Sequence, residues 1–103
     1  MANSEKVAWT AVRLHPDDNV ATALRDLTAG TQPTIAQCEA PILGRDIARG
    51  HKFALSDILA NQEAVKYGQA IGIAMVDIPR GEHVHLHNLE GLAGRTERHR
   101  DTP

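Results

Sequence analysis

The sequence predicts a small, mainly β domain built on an internal repeat, and three observations carry that prediction. The turn signature Asp-(Leu/Ile)-x-x-(Gly/Asn) occurs at Asp26–Gly30, Asp46–Gly50, Asp57–Asn61 and Asp77–Gly81, and the interval from Asp26 to Asp46 equals that from Asp57 to Asp77. Superposing Asp26 on Asp57 therefore lays the first pair of turns on the second. The segments between them are short runs of aliphatic and β-branched residues, and closely spaced turn signals between such runs mark all-β domains. Finally, 103 residues make one modest core rather than two, and with aromatics at 3% that core must be aliphatic.

The turn spelling has a physical reason. Asp bonds backbone N–H groups a residue or two further on, and Gly or Asn accepts the positive φ that closes the turn. The Leu or Ile between them points inward as an anchor. The four copies read as a structural repeat rather than as four ligand sites.

The segments follow in order. Lys6–His15 is a mixed β-rich run, and Asn19–Leu24 starts another strand with Val20, Thr22 and Leu24. Gln32–Gln37 and Pro41–Leu43 read as short extended pieces, their prolines placing them at strand edges. Lys52–Leu55, Ala64–Tyr67, Ile71–Val76 and His83–Leu89 complete the set. Ser56–Tyr67 has near-helical apolar spacing at Ile58, Leu59, Gln62 and Val65. Its repeat equivalent carries Gly30 and Pro33, which oppose a helix, so turn plus strand is expected. The domain is placed at residues 1–89; residues 90–103, rich in Gly and Arg, read as a flexible or partner-docking tail.

Composition excludes several classes. A net charge of −2 lacks the basic footprint of a nucleic-acid binder. The lone Cys38 rules out an internal disulfide framework and a multi-cysteine zinc site, and a buried, inert thiol is expected. The polar start, Met1–Lys6, shows no secretory signal, and the longest apolar stretch, Ile71–Val76, is far shorter than a bilayer span. A cytoplasmic domain without a membrane partner is expected. No serine-protease order of residues and no phosphate-binding glycine loop occurs.

Two clusters could carry chemistry. His83, His85 and His87 alternate with Val84 and Leu86, so on a strand the imidazoles share one face while Val84 and Leu86 meet the core. Two such imidazoles can converge on a metal ion, with further ligands from elsewhere; a merely His-rich polar face is the competing reading. Gly50-His51-Lys52 places an imidazole and a cation directly after a turn, fit to move a proton or hold a carboxylate, or simply solvated. The repeat sets this cluster opposite Gly81-Glu82-His83, so a pseudo-twofold arrangement would bring both onto one face. Lys66-Tyr67-Gly68 and the loop His15–Asn19 are further candidates for ligand contacts, with Asp18 and Asn19 equally suited to closing an Asx turn.

Four stretches carry a resemblance. They are His15-Pro-Asp-Asp-Asn-Val-Ala, Gly50-His-Lys-Phe-Ala-Leu-Ser-Asp-Ile, Val65-Lys-Tyr-Gly-Gln-Ala-Ile-Gly and Asp77-Ile-Pro-Arg-Gly-Glu-His-Val-His-Leu-His-Asn. In this order they resemble the small N-terminal, SAF-type domain of altronate and galactarate dehydratases. The resemblance implies a β-clip fold of short strands and long turns. It also implies a lyase that eliminates water from a sugar acid to give a 2-keto-3-deoxy acid, with Fe2+ or another divalent metal shared with or held by a large catalytic subunit. The chain begins at Met1 and stops soon after the last motif, so the separate small-subunit form, inactive without its partner, is expected, and homo-oligomers of the isolated chain remain open. Two alternatives stand beside it: the small subunit of a 3-sulfolactate sulfo-lyase, which expels sulfite, and a non-catalytic SAF-type binding or assembly module. Residue by residue, the resemblance implies His85 and His87 as metal ligands, His51 and His85 as catalytic groups with His51 the proton shuttle, and Lys52, Lys66 and Asn88 as substrate contacts.

Overall fold

The computed structural model describes residues 8–91, and among these it is all sheet and turn, with no helix. Seven strands form in order: β1 (Ala11–Val12), β2 (Val20–Ala23), β3 (Lys52–Ala54), β4 (Glu63–Lys66), β5 (Gln69–Ala74), β6 (His83–Val84) and β7 (Leu89–Gly91). They make two antiparallel sheets, β1-β2-β3-β6 and β4-β5-β7. No helix among the described residues is long and apolar enough to cross a membrane.

The first sheet is buried on both faces, which is why β2 reads Val-Ala-Thr-Ala with no polar alternation. Ala21, Ala23 and Phe53 enter one core cluster with Ala11, Leu27, Leu43 and Ile47. Val20, Ala54 and Val84 enter the other with Ile58, Ala64, Ala74 and Ile78. Small side chains at Ala21, Ala23 and Ala54 let the flanking layers approach closely, and Phe53 at 0% exposure supplies the bulk that alanines cannot. Cys38 packs half-buried against the first cluster.

The four turns form two clasps. Leu27 and Ile47 exchange both backbone hydrogen bonds (2.8 and 2.9 Å), as do Ile58 and Ile78 (2.8 and 2.7 Å). All four anchors are buried, as the turn spelling requires. Positive φ falls at Gly30 (83°), Gly50 (83°), Asn61 (74°) and Gly81 (91°), the fifth position of every turn. One expectation is corrected: the aspartates do not cap their own turns. Asp26 Oδ1 accepts Arg49 N–H and Asp46 Oδ1 accepts Ala29 N–H; Asp57 accepts Arg80 N–H and Asp77 accepts Ala60 N–H, all at 2.8–2.9 Å. Each carboxylate satisfies the partner turn of its clasp, because the antiparallel bridge brings that turn's free N–H groups to it.

The pairing repeats as well. The β2/β3 partners Ala21↔Phe53 and Thr22↔Lys52 recur, carried through the repeat, as the β3/β6 partners Lys52↔Val84 and Phe53↔His83. Strand β3 thus belongs to both copies.

Three segments differ from the sequence reading. Gln32–Gln37 and Pro41–Leu43 form no ladder; Thr34 carbonyl accepts Thr10 N–H and Ala11 N–H, and Leu43 donates to Thr31 carbonyl while accepting Gly30 N–H. Pro33 and Pro41 lack the donors a ladder needs. The strand expected across His83–Leu89 stops at Val84, and residues 85–88 turn back into β7. Val84 is buried as expected, but Leu86 stands at the turn's tip, 79% exposed, instead of in the core. The described chain ends with β7, so Glu90 and Gly91 of the expected tail lie in the second sheet, while residues 92–103 and Met1–Val7, which include the start of the first expected run, lie outside the described residues.

The loop before β2 serves the second sheet. The β4–β5 hairpin closes through Tyr67 and Gly68, both at positive φ (58° and 72°), the two-residue turn that matches strand twist. Tyr67 tolerates this because the buried Asp18 carboxylate accepts both turn N–H groups, at 3.0 and 2.8 Å. Asn19 donates to Glu63 carbonyl and accepts Val65 N–H, standing in for a strand at the edge of β4. Both residues clamp a distant hairpin rather than their own turn.

Candidate functional site

The histidines converge at one end of the first sheet. His51 follows the positive-φ Gly50 and is pinned by its backbone, N–H to Ala48 carbonyl (2.9 Å) and carbonyl to Ala23 N–H (2.8 Å). His83 begins β6 opposite Phe53. His85 opens the turn that ends the strand. Asn88 makes that turn: its Oδ1 accepts His85 N–H (3.0 Å), its Nδ2 donates to His83 carbonyl (2.7 Å), and its own N–H reaches His85 carbonyl (3.1 Å). A side-chain amide that captures neighbouring backbone groups competes with strand extension, which is why β6 is short.

His51 Nδ1 and His83 Nε2 stand 2.9 Å apart, a hydrogen bond that needs one proton between the two rings. The His85 ring stacks on His51 (4.3 Å between centroids) and lies 5.4 Å from His83, while His87 lies 5.3 Å from His83. His51, His83 and His85 each present a ring nitrogen within 4.8 Å of the others. The two clusters expected to share one face do meet, and the repeat equivalents of the buried pair Val20↔Ala54 are His51 and His85.

Electrostatics favour the neutral form of His83 and His85. Burial, with His51, His87, His85 and Arg45 adding positive charge, pushes His83 down to about 4. His85 is also lowered, by lost hydration and then by His51, Lys52 and His87. Burial and the neighbouring Lys66 lower Lys52. A neutral imidazole offers a lone pair at physiological pH, which is what a metal ligand requires. The spacing fits a metal too: nitrogens at about 2.0–2.1 Å from one tetrahedral ion stand roughly 3.3 Å apart, within reach of small ring movements here. Three imidazoles leave further positions open for substrate or a partner's ligand.

Beside the rings runs an open groove of about 400 Å³, lined by Asp26, Leu27, Thr28, Asp46, Ile47, Ala48, His51 and His83. Lys52 pairs with Val84 on β6, and Lys66, whose ammonium lies 5.8 Å from the Tyr67 ring, stands near enough to perturb it. Of the expected site residues, His51 and His85 meet here and Lys52 acts on His85, while Lys66, on β4 of the other sheet, is linked only through its charge on Lys52. His87 touches the group through His83 but falls outside the set of three, and Asn88, 4% exposed, has both amide ends engaged on the histidine turn. His83, named in the histidine cluster from the sequence but given no role there, joins the set of three. The signal for it was also present in the repeat, which sets it opposite Lys52, next to His51.

Residues 9–92 match the family described as the altronate/galactarate dehydratase SAF domain. The chain belongs to this family. It is 42% identical over 92 residues to an altronate dehydratase of Escherichia coli (strain K12), covering 89% of this chain and 18% of that protein. It is likewise 42% identical over 76 residues to a galactarate dehydratase (L-threo-forming) of the same strain, covering 71% of this chain and 14% of that one. A (2R)-sulfolactate sulfo-lyase subunit alpha of Chromohalobacter salexigens is 42% identical over 41 residues, 40% of this chain and 44% of that subunit. This SAF domain thus spans less than a fifth of the dehydratases it matches.

Proposed function

We propose that the chain is the small portion of a metal-dependent lyase that dehydrates a sugar acid of the altronate or galactarate kind to a 2-keto-3-deoxy acid, completed by a large catalytic partner in the cytoplasm. The observation that carries this reading is the approach of His51, His83 and His85 beside an open groove. In this reading the three rings hold a divalent ion, Fe2+ foremost, through one nitrogen each. The chemistry such an ion supplies when bound is neutralisation of negative charge on the substrate's carboxylate end. Lys52, with Lys66 behind it, draws that carboxylate toward the rings. Asn88 is a positioning residue: it fixes the backbone of His83 and His85 so that the rings need no reorganisation on binding. The shuttle role first expected of His51 passes to His87, the exposed imidazole outside the set of three. Ile42 (66% exposed), beside the Gly81 turn, and Leu86 (79%) supply apolar contact for the partner next to the site.

The test is reconstitution of the chain with its co-purifying large polypeptide and Fe2+ under anaerobic conditions, scored by 2-keto acid formation from altronate and galactarate. Neither polypeptide alone is expected to turn over. Full activity of the large polypeptide alone would remove the chain from the reaction. His85→Ala separates chemistry from assembly: lost turnover with an intact complex supports the catalytic reading, and a lost complex supports a scaffold. The match to a sulfo-lyase subunit alpha, a small polypeptide named as a subunit, favours one further reading, in which 3-sulfolactate is the substrate and sulfite the product.

A further inference from the structure

Arg45 enters the account above only as a charge near His83, and two features place it beside the site. Gly44 N–H bonds Gly81 carbonyl (3.1 Å), stapling this segment to the turn that feeds β6. Arg45 Nε pairs with Glu82, the residue immediately before His83. Glu82 is the more enclosed partner, 23% exposed against 57% for Arg45, so the carboxylate orients the guanidinium while much of the guanidinium faces solvent. Arg45 also directly precedes Asp46, which lines the groove.

Its position relative to the lysines is informative. Side chains alternate along β3, so Lys52 leaves the sheet on the face opposite Phe53, and Phe53 is the partner of His83. Lys52 therefore flanks the rings from one face, and the Glu82–Arg45 pair flanks them from the edge that His83 occupies. The same division shows in the charges felt by the rings: Arg45 acts on His83, and Lys52 acts on His85.

We propose that Arg45 is an anion-recognition residue that selects substrates carrying a second acidic group, a carboxylate or a sulfonate, at the end remote from the carboxylate on the Lys52 side. An oriented guanidinium suits this task better than an ammonium, because its planar fork matches a two-oxygen acceptor. Asp26 and Asp46 line the groove beside the rings; with Oδ1 of each held by a backbone N–H, their second oxygens would accept hydrogen bonds from hydroxyl groups and repel carboxylates. The inference rests on the proposed reaction class and narrows its substrate.

The test uses the full chain, its backbone and arginine Nε–H signals followed by NMR during titration with galactarate (two carboxylates), 3-sulfolactate (carboxylate and sulfonate) and altronate (one carboxylate). Galactarate and sulfolactate are expected to shift the Arg45 Nε–H signal and the Gly44 and Glu82 amides. Arg45→Gln should weaken both by about tenfold, the loss of one charge-assisted contact, and altronate by less than about twofold. Arg45→Lys should recover part of the loss. A loss confined to galactarate or to sulfolactate assigns the second group as carboxylate or sulfonate. Equal losses for all three acids, or no response at Arg45, would overturn the proposal. Metal titration of the same samples keeps the two readings separate: Arg45-dependent selectivity in a chain that binds no metal counts against the metal reading alone.

Discussion

Gly81 offers the sharpest test of how the turns hold the site. Gly50 and Gly81 are repeat equivalents at φ 83° and 91°, and each donates its N–H to a strand carbonyl at 2.8 Å. Their surroundings differ. A Cβ at Gly50 meets nothing within 4 Å, whereas a Cβ at Gly81 falls 2.5 Å from the backbone oxygen of Ile42. Gly50→Ala therefore carries only the left-handed backbone cost, about 1–2 kcal/mol. Gly81→Ala adds an overlap that no rotamer change can relieve, since the atom struck is backbone; forced overpacking adds about 1–3 kcal/mol. The predicted difference between the variants is thus about 1–3 kcal/mol, or roughly 4–20 °C in Tm for a domain of this size. Urea and thermal unfolding of both variants, followed by far-UV circular dichroism, measure it. Equal destabilisation of the two, within about 0.5 kcal/mol, would refute the reasoning, because the Ile42 contact would then cost nothing.

Three further outcomes are expected. Titration with Co2+ should show binding weakened about 10- to 100-fold by His51→Ala, His83→Ala or His85→Ala, and far less by His87→Ala; equal effects of all four would dissolve the set of three. His83 titrates near 4 when folded against 6.5 when unfolded, so the unfolded chain takes up the proton first: stability is full above pH 6.5 and falls as the pH drops toward 4. Because the ring is only partly buried, screening reduces this to about 1 kcal/mol, and urea midpoints at pH 7.5 and 4.5 should converge in His83→Asn. Asp57→Ala should speed hydrogen exchange at Arg80 N–H, in the partner turn, more than at the amides that follow residue 57 itself.

How much of this was legible in the sequence depended on whether the determining contact was local. The turns were legible because Gly30, Gly50, Asn61 and Gly81 must each supply positive φ and Leu27, Ile47, Ile58 and Ile78 must each be buried, demands met within a single turn. The destination of the aspartate bonds was not, because an Asp at the head of such a turn is spelled alike whether it caps its own turn or another. The histidine segment misleads for a related reason. Alternation from His83 to Leu89 is a strand pattern, but Asn88 overrides it by taking the backbone groups of His83 and His85. Arg45 gave no local sign, since its partner Glu82 lies beyond the whole of β3, β4 and β5 in the chain.

The strand common to both copies, β3, bears on how the first sheet holds together. It completes the ladder of one copy on one edge and of the other copy on its opposite edge. Severing the polypeptide on either side of Lys52–Ala54 would leave one fragment with a bare edge where β3 now pairs. Loss of β3 would therefore unpair β2 and β6 together, since it is the one strand of the described sheet that both copies share.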